Sequence, residues 1–172
     1  MIIFKDIITG DELFTDSFNI IRRDGIIEVN CKMVSESTEI DESLIGGNAS
    51  AEEASEGVES AEKKGYDVVI QNRLAEQPPF DKKGFMAHIK PYLKAVKGKM
   101  KENGRSEEDM KKFEDNMSAH VKSMVKKGID KMEVFSGEKM DPDGMQVLVD
   151  FRDDEITPFA MFIAEGLIEE KA

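Results

Sequence analysis

Carboxylates are the groups this sequence offers most freely for chemistry. Acids stand side by side at Asp11-Glu12, Asp41-Glu42 and Glu52-Glu53, and three in a row at Asp153-Asp154-Glu155. Adjacent carboxylates work as an acid and base pair only where burial or charge drives their pKa values apart, and acids in hydrophilic loops stay solvated and ionised. A hard cation suits them better, because calcium takes loop carboxylates and carbonyl oxygens. Asp153, Asp154 and Glu155 are therefore the candidates for a weak, irregular calcium site. The Asp141-Pro142-Asp143-Gly144 run is not an EF-hand loop: its glycine comes two positions early, and Arg152 stands where position twelve needs Glu.

Other catalytic groups lack companions. His88 and His120 have no Cys or second His at metal-ligand spacing, so zinc lacks its ligands. Cys31, the one cysteine, reads as a small buried hydrophobe in an alternating strand rather than a nucleophile, and it cannot form an internal disulfide. Neither G-x-x-x-x-G-K-[ST] nor a strand-borne G-x-G-x-x-G is present, which argues against a phosphate-cradling loop. No acid is matched with a base or a pocket, so an enzyme is not expected.

These residues must be held by a chain of 172 residues, enough for one well-buried core, and a single domain over residues 1–172 is expected. No apolar run approaches the roughly 20 residues that span a bilayer, and no cleavable leader follows the first residues. Membrane insertion is not expected, and a reducing, cytoplasmic setting is. Charge is unevenly spread. Residues 81 to 131 hold 14 Lys and Arg against 8 Asp and Glu, whereas the remainder holds 10 against 28. The molecule as a whole would be repelled by nucleic acid, while its basic stretch can attract acidic partners.

Residues 1 to 33 read as strands, with Asp24-Gly25 placed for a tight type I′ hairpin turn. From about 34 to 66 large apolar residues almost disappear and acids accumulate, which predicts a long flexible loop that cannot offset its ordering entropy. Residues 66 to 75 return to β-branched alternation and predict a strand. Between about 82 and 128 two amphipathic helices are expected as an αα-hairpin. The first carries Phe85, Ile89, Val96 and Met100 on one face and lysines elsewhere, with a kink or split where Pro91 falls. The second is capped by Ser106 and closed by Gly128. Met86, Met100, Met110, Met117 and Met124 have the helical period of core residues, although methionines can also form an adaptable binding face. The tail alternates again as strands around the turn at Asp141 to Gly144. Helices segregated from strands in this way indicate an α+β fold.

The stretch IGGNASAEE at 45–53 carries the chain's most specific signature. With MIIFKDIITGDELFTDSF, KMVS, DESL, VFSGEKMDPDG and LVDFR it resembles the translationally controlled tumour protein family over essentially the whole chain. The resemblance implies a β-tent core of mainly antiparallel sheets, shared with a small zinc-containing Rab-binding protein, with a projecting α-helical hairpin and a long flexible acidic loop. It also implies a cytoplasmic protein that binds calcium, associates with microtubules and is linked to growth and survival. Tubulin then becomes the acidic partner of the basic helix, with Lys90, Lys94, Lys97 and Lys101 as the contacting residues. The family's link to nucleotide exchange or chaperoning of a Ras-like GTPase such as Rheb makes Glu12 in GDELF and Glu138 in SGEKM candidate contacts. Ser43 in DESL resembles an acid-directed Polo-like kinase site. The helical death motif described for the family near residues 16 to 27 is not expected here, because Asp24-Gly25 makes that segment a hairpin.

Overall fold

The computed structural model describes residues 1–35 and 64–172. The expected phosphorylation site at Ser43 and most of the acidic segment lie outside the described residues. Strands β1 (Ile2–Asp6), β2 (Glu12–Thr15), β3 (Ile20–Arg23), β4 (Ile26–Asn30) and β5 (Met33–Ser35) come first. They are followed by β6 (Lys64–Tyr66), α1 (Asp67–Asn72), β7 (Ala75–Gln77), α2 (Lys82–Glu102) and α3 (Glu107–Lys127). Strands β8 (Glu133–Ser136), β9 (Val147–Phe151), β10 (Pro158–Ile163) and β11 (Leu167–Lys171) complete the chain. The fold is α+β. A six-stranded sheet has the order β3-β4-β10-β9-β8-β7, a three-stranded sheet the order β11-β1-β2, and β5 and β6 form a ribbon. Every pairing is antiparallel.

The β3–β4 hairpin turns where the sequence places it. Asp24 and Gly25 have φ of 43° and 82°, the left-handed pair that a type I′ turn requires. The two larger sheets share one apolar core, and aromatic rings join them. Phe14 of β2 stacks on Phe4 of β1 at 4.4 Å between centroids and meets Phe162 of β10 at 4.3 Å. All three rings are buried.

The segment 66–75 corrects the expectation of a strand. Only its ends are extended, as Tyr66 in β6 and Ala75 in β7, and the middle is helix α1. Burial overrides the β-branched preference, because Val68 is completely enclosed and the Asp67 carboxylate accepts from the backbone amides of both Val68 and Lys32. Arg73 then ends the turn in the left-handed region at φ 55°. At both ends of the expected loop, about 34–66, the chain is strand instead, since Val34 pairs with Gly65 and Ser35 with Lys64 in the β5–β6 ribbon.

Helix α2 starts on Asp81, whose side chain accepts from the Gly84 amide at 2.6 Å, and α3 starts on Ser106, which accepts from the Asp109 amide at 3.1 Å. Acids fill the first turn of α3 and lysines the last turn of both helices, matching the helix dipole. Phe85, Ile89, Tyr92, Val96 and Met100 form the buried stripe of α2, each worth on the order of 1.5–3 kcal/mol of burial. Of the kink or split expected at Pro91, the split does not occur: α2 runs unbroken from Lys82 to Glu102. Ala87, whose carbonyl loses its partner to Pro91, is exposed, as is Pro91 itself, so water can solvate the freed oxygen. The turn between the helices is tied to the sheets through Arg105, which bonds Glu165 at 2.5 Å and Asp109 at 3.1 Å. Among the described residues no helix is long and apolar enough to cross a membrane.

Candidate functional site

Two surfaces collect the residues that the sequence singles out. The first is built on Asp6, a carboxylate only 2% exposed at the end of β1. It accepts from the amides of Ile8 at 2.9 Å and Met145 at 2.7 Å, from the Thr9 hydroxyl at 3.2 Å and from the Tyr92 hydroxyl at 3.3 Å. Asp6 thus pins the β1–β2 turn to α2 and to the turn at Asp141 to Gly144. Gly144 must be glycine for this approach, because a Cβ there would lie 2.7 Å from Thr9 Cγ2.

Five residues after Asp6, Asp11 is buried against Gly137, where a Cβ would collide with its carboxylate. Lys139 crosses back, its Nζ donating to the Thr9 carbonyl at 2.9 Å and lying 3.9 Å from Asp11 Oδ1. The segments bearing Glu12 and Glu138 therefore lie side by side, though well over one hundred residues separate them in sequence. Both acids are exposed. Glu138 faces Arg73 at 3.7 Å, an exposed pair worth at most about 1 kcal/mol. Arg73 is brought there by α1, which packs beside β2. Sequence reasoning missed Asp11 and Arg73 as the residues that shape this edge. The first looks like any loop acid, and the second lay in the segment read as a strand.

The second surface is helical. Helix α2 carries seven lysines and one glutamate, whereas α3 carries five lysines against five acids, so the basic excess belongs to α2. Lys90, Lys94 and Lys101 are exposed. Lys97 differs: it is half-buried and pairs with Glu114 across the two helices. Met100, Met117 and Met124 are core residues, and Met86 and Met110 are packed against the core, as their helical period predicts.

The calcium candidates lie in the turn between β9 and β10. Asp154 accepts from the amides of Ile156 and Thr157 and from the Thr157 hydroxyl, which holds its carboxyl below the usual range. Its oxygens are engaged in shaping the turn, and a cation would meet chiefly the exposed carboxylates of Asp153 and Glu155. Among the described residues no three or more His, Cys, Asp or Glu side chains are grouped to hold a metal ion.

His88 stacks between Phe80 and Tyr92, and burial lowers its pKa. His120 packs between α3 and the β3–β4 hairpin, where burial and then the Lys127 charge push it down to about 4. Cys31 is buried, and burial with the nearby Asp67 charge pushes its thiol up to about 12, far from a thiolate nucleophile.

Comparison with known proteins agrees with this architecture. A family model described as "Translationally controlled tumour protein" matches residues 1–168. The chain is 44% identical to the translationally-controlled tumor protein homolog of Gibberella zeae and 47% identical to that of Labeo rohita, in each case over 99% of both chains. Among solved structures, p23fyp of Schizosaccharomyces pombe superposes with a TM-score of 0.78 at 36% identity, covering 100% of both chains. The Caenorhabditis elegans protein superposes with a TM-score of 0.72 at 27% identity, covering 100% of this chain and 99% of that one.

Proposed function

The chain belongs to the translationally controlled tumour protein family, and on that premise we propose that it is a non-enzymatic, cytoplasmic binding protein. It associates with microtubules, binds calcium weakly, and serves in the regulation of growth and survival. The observation that carries this reading is the concentration of unbalanced lysines on α2, with Lys90, Lys94 and Lys101 exposed on a molecule that is acidic elsewhere. Such a face attracts the acidic tails of tubulin by field, and the contact weakens with salt. Lys97 contributes less, because Glu114 already neutralises it.

Cosedimentation with microtubules across a salt series tests the proposal. Wild-type protein should pellet at low salt and be released as salt rises, and a variant combining Lys90→Glu, Lys94→Glu and Lys101→Glu should stay in the supernatant throughout. Absence of pelleting, or pelleting indifferent to salt, overturns it. Calcium is expected to shift the amide signals of Asp153 and Glu155 first.

A second reading is favoured by the edge where Glu12 and Glu138 are brought together: nucleotide exchange or chaperoning of a Ras-like GTPase. Here Glu12 competes for the groups that hold the nucleotide's magnesium. Faster nucleotide release with wild-type protein, lost on Glu12→Val, supports it. Equal release with and without the protein removes it.

A further inference from the structure

Helices α2 and α3 meet along a seam that does not close on its outer side. A groove of about 320 Å³ remains between them. Its floor is apolar, with Leu93 on one wall and Phe113, Met117 and Val121 on the other. Four charged side chains border it. Lys97 and Glu114 pair with each other, which leaves Lys90 on α2 and Lys122 on α3, both exposed, as the charges at the mouth without an ion-pair partner among the described residues.

We propose that this groove is a docking site for an amphipathic α-helix of a partner protein whose apolar stripe is flanked by acids. Three features select that occupant. The stretch of α2 from Met86 to Lys97 is about 16 Å long at the helical rise, which matches roughly three turns of an incoming helix. Two antiparallel helices with an apolar seam are the usual receptor for a third, whose residues at i, i+4 and i+7 fill the trough. Met86, partly exposed where it lines the groove, adapts to side chains of different shape, because its thioether chain is flexible and polarizable. The charge at the mouth then decides the flanks. Acids beside the stripe would meet Lys90 and Lys122, and lysines there would leave like charges opposed. The inference goes beyond the microtubule reading, since attraction between an acidic tail and exposed lysines needs no groove.

The test is an amide chemical-shift titration of the full chain with a synthetic helical peptide bearing leucines at i, i+4, i+7 and i+11 flanked by glutamates. Two controls accompany it, one with lysines in place of the glutamates and one with the same residues in scrambled order. Binding that shifts Leu93, Met117 and Val121, with each control at least tenfold weaker, supports the proposal. Leu93→Ser should weaken binding at least tenfold, and so should Lys122→Glu, an exposed position whose reversal leaves the core intact. Equal binding of the basic or scrambled peptide overturns the proposal, as do shifts confined to other surfaces or no binding at millimolar peptide. Concentration-dependent self-association of the chain that shifts these same amides without peptide also overturns it. Leu93→Ser should pellet with microtubules as the wild type does, so the two readings fail separately.

Discussion

The phenol of Tyr92 donates to the carboxylate of Asp6 across 3.3 Å, joining the middle of α2 to the end of β1. Both groups are buried, and the same carboxylate takes two backbone amides and a hydroxyl. Asp6→Ala would take the acceptor from four donors, of which the Tyr92 hydroxyl and the Met145 amide are buried, at a cost of about 3–5 kcal/mol by analogy with breaking a buried charged network. Tyr92→Phe removes one long bond and should cost about 0.5–1.5 kcal/mol. Urea unfolding of the two variants checks the ranking, and similar losses in both would contradict the central place given to Asp6.

Gly137 allows the Asp11 side chain to lie against the chain after β8. Gly137→Ala should displace Asp11 and cost about 1–3 kcal/mol, a range set by overpacked sites. Amide shifts should spread from Gly10 to Glu12 and from Ser136 to Lys139 while leaving α2 and α3 unchanged. Shifts limited to the immediate neighbours of residue 137 would contradict the coupling of the two segments.

His120 makes stability depend on acid. Its folded pKa is depressed to about 4 against roughly 6.5 for a free imidazole, so the unfolded chain takes up the proton first. Its contribution is complete above about pH 6.5, declines as the pH falls towards 4, and is lost below that, a change of about 3 kcal/mol. The His88 pKa is shifted in the same direction. In equilibrium unfolding across this window, His120→Leu should reduce the slope. An unchanged slope would show that the imidazole is not buried neutral.

The Cys31 thiol provides a direct probe of opening. It is buried, donates to the Val29 carbonyl, and has a pKa near 12, so a thiol reagent at pH 8 should find it almost inert in the native state and fully reactive in denaturant. Native labelling as fast as that of the unfolded chain would mean that β4 and β10 part readily.

Sequence carried local structure further than it carried the site. The Asp24-Gly25 turn, the Ser106 cap and the Gly128 stop are written in residues next to the features they make, and so is the burial period of the two helices. Helix α1 escaped because Val68, Val69 and Ile70 favour strands locally, and the contacts that override them come from Lys32 and the surrounding core. Glu12 and Glu138 were suggested only by resemblance to a family. Their shared edge depends on Asp6, Asp11, Gly137 and Lys139, which no local pattern links.

The larger sheet closes through β4 and β10, where Asn30 pairs with Phe159. On a ribosome that pairing must wait until Phe159 has emerged, well over one hundred residues after Asn30, whereas α2 and α3 can join as soon as both are out. Until then β4 has only β3 beside it, and its other edge, from Ile26 to Asn30, stays open as a place for a nascent-chain chaperone to bind.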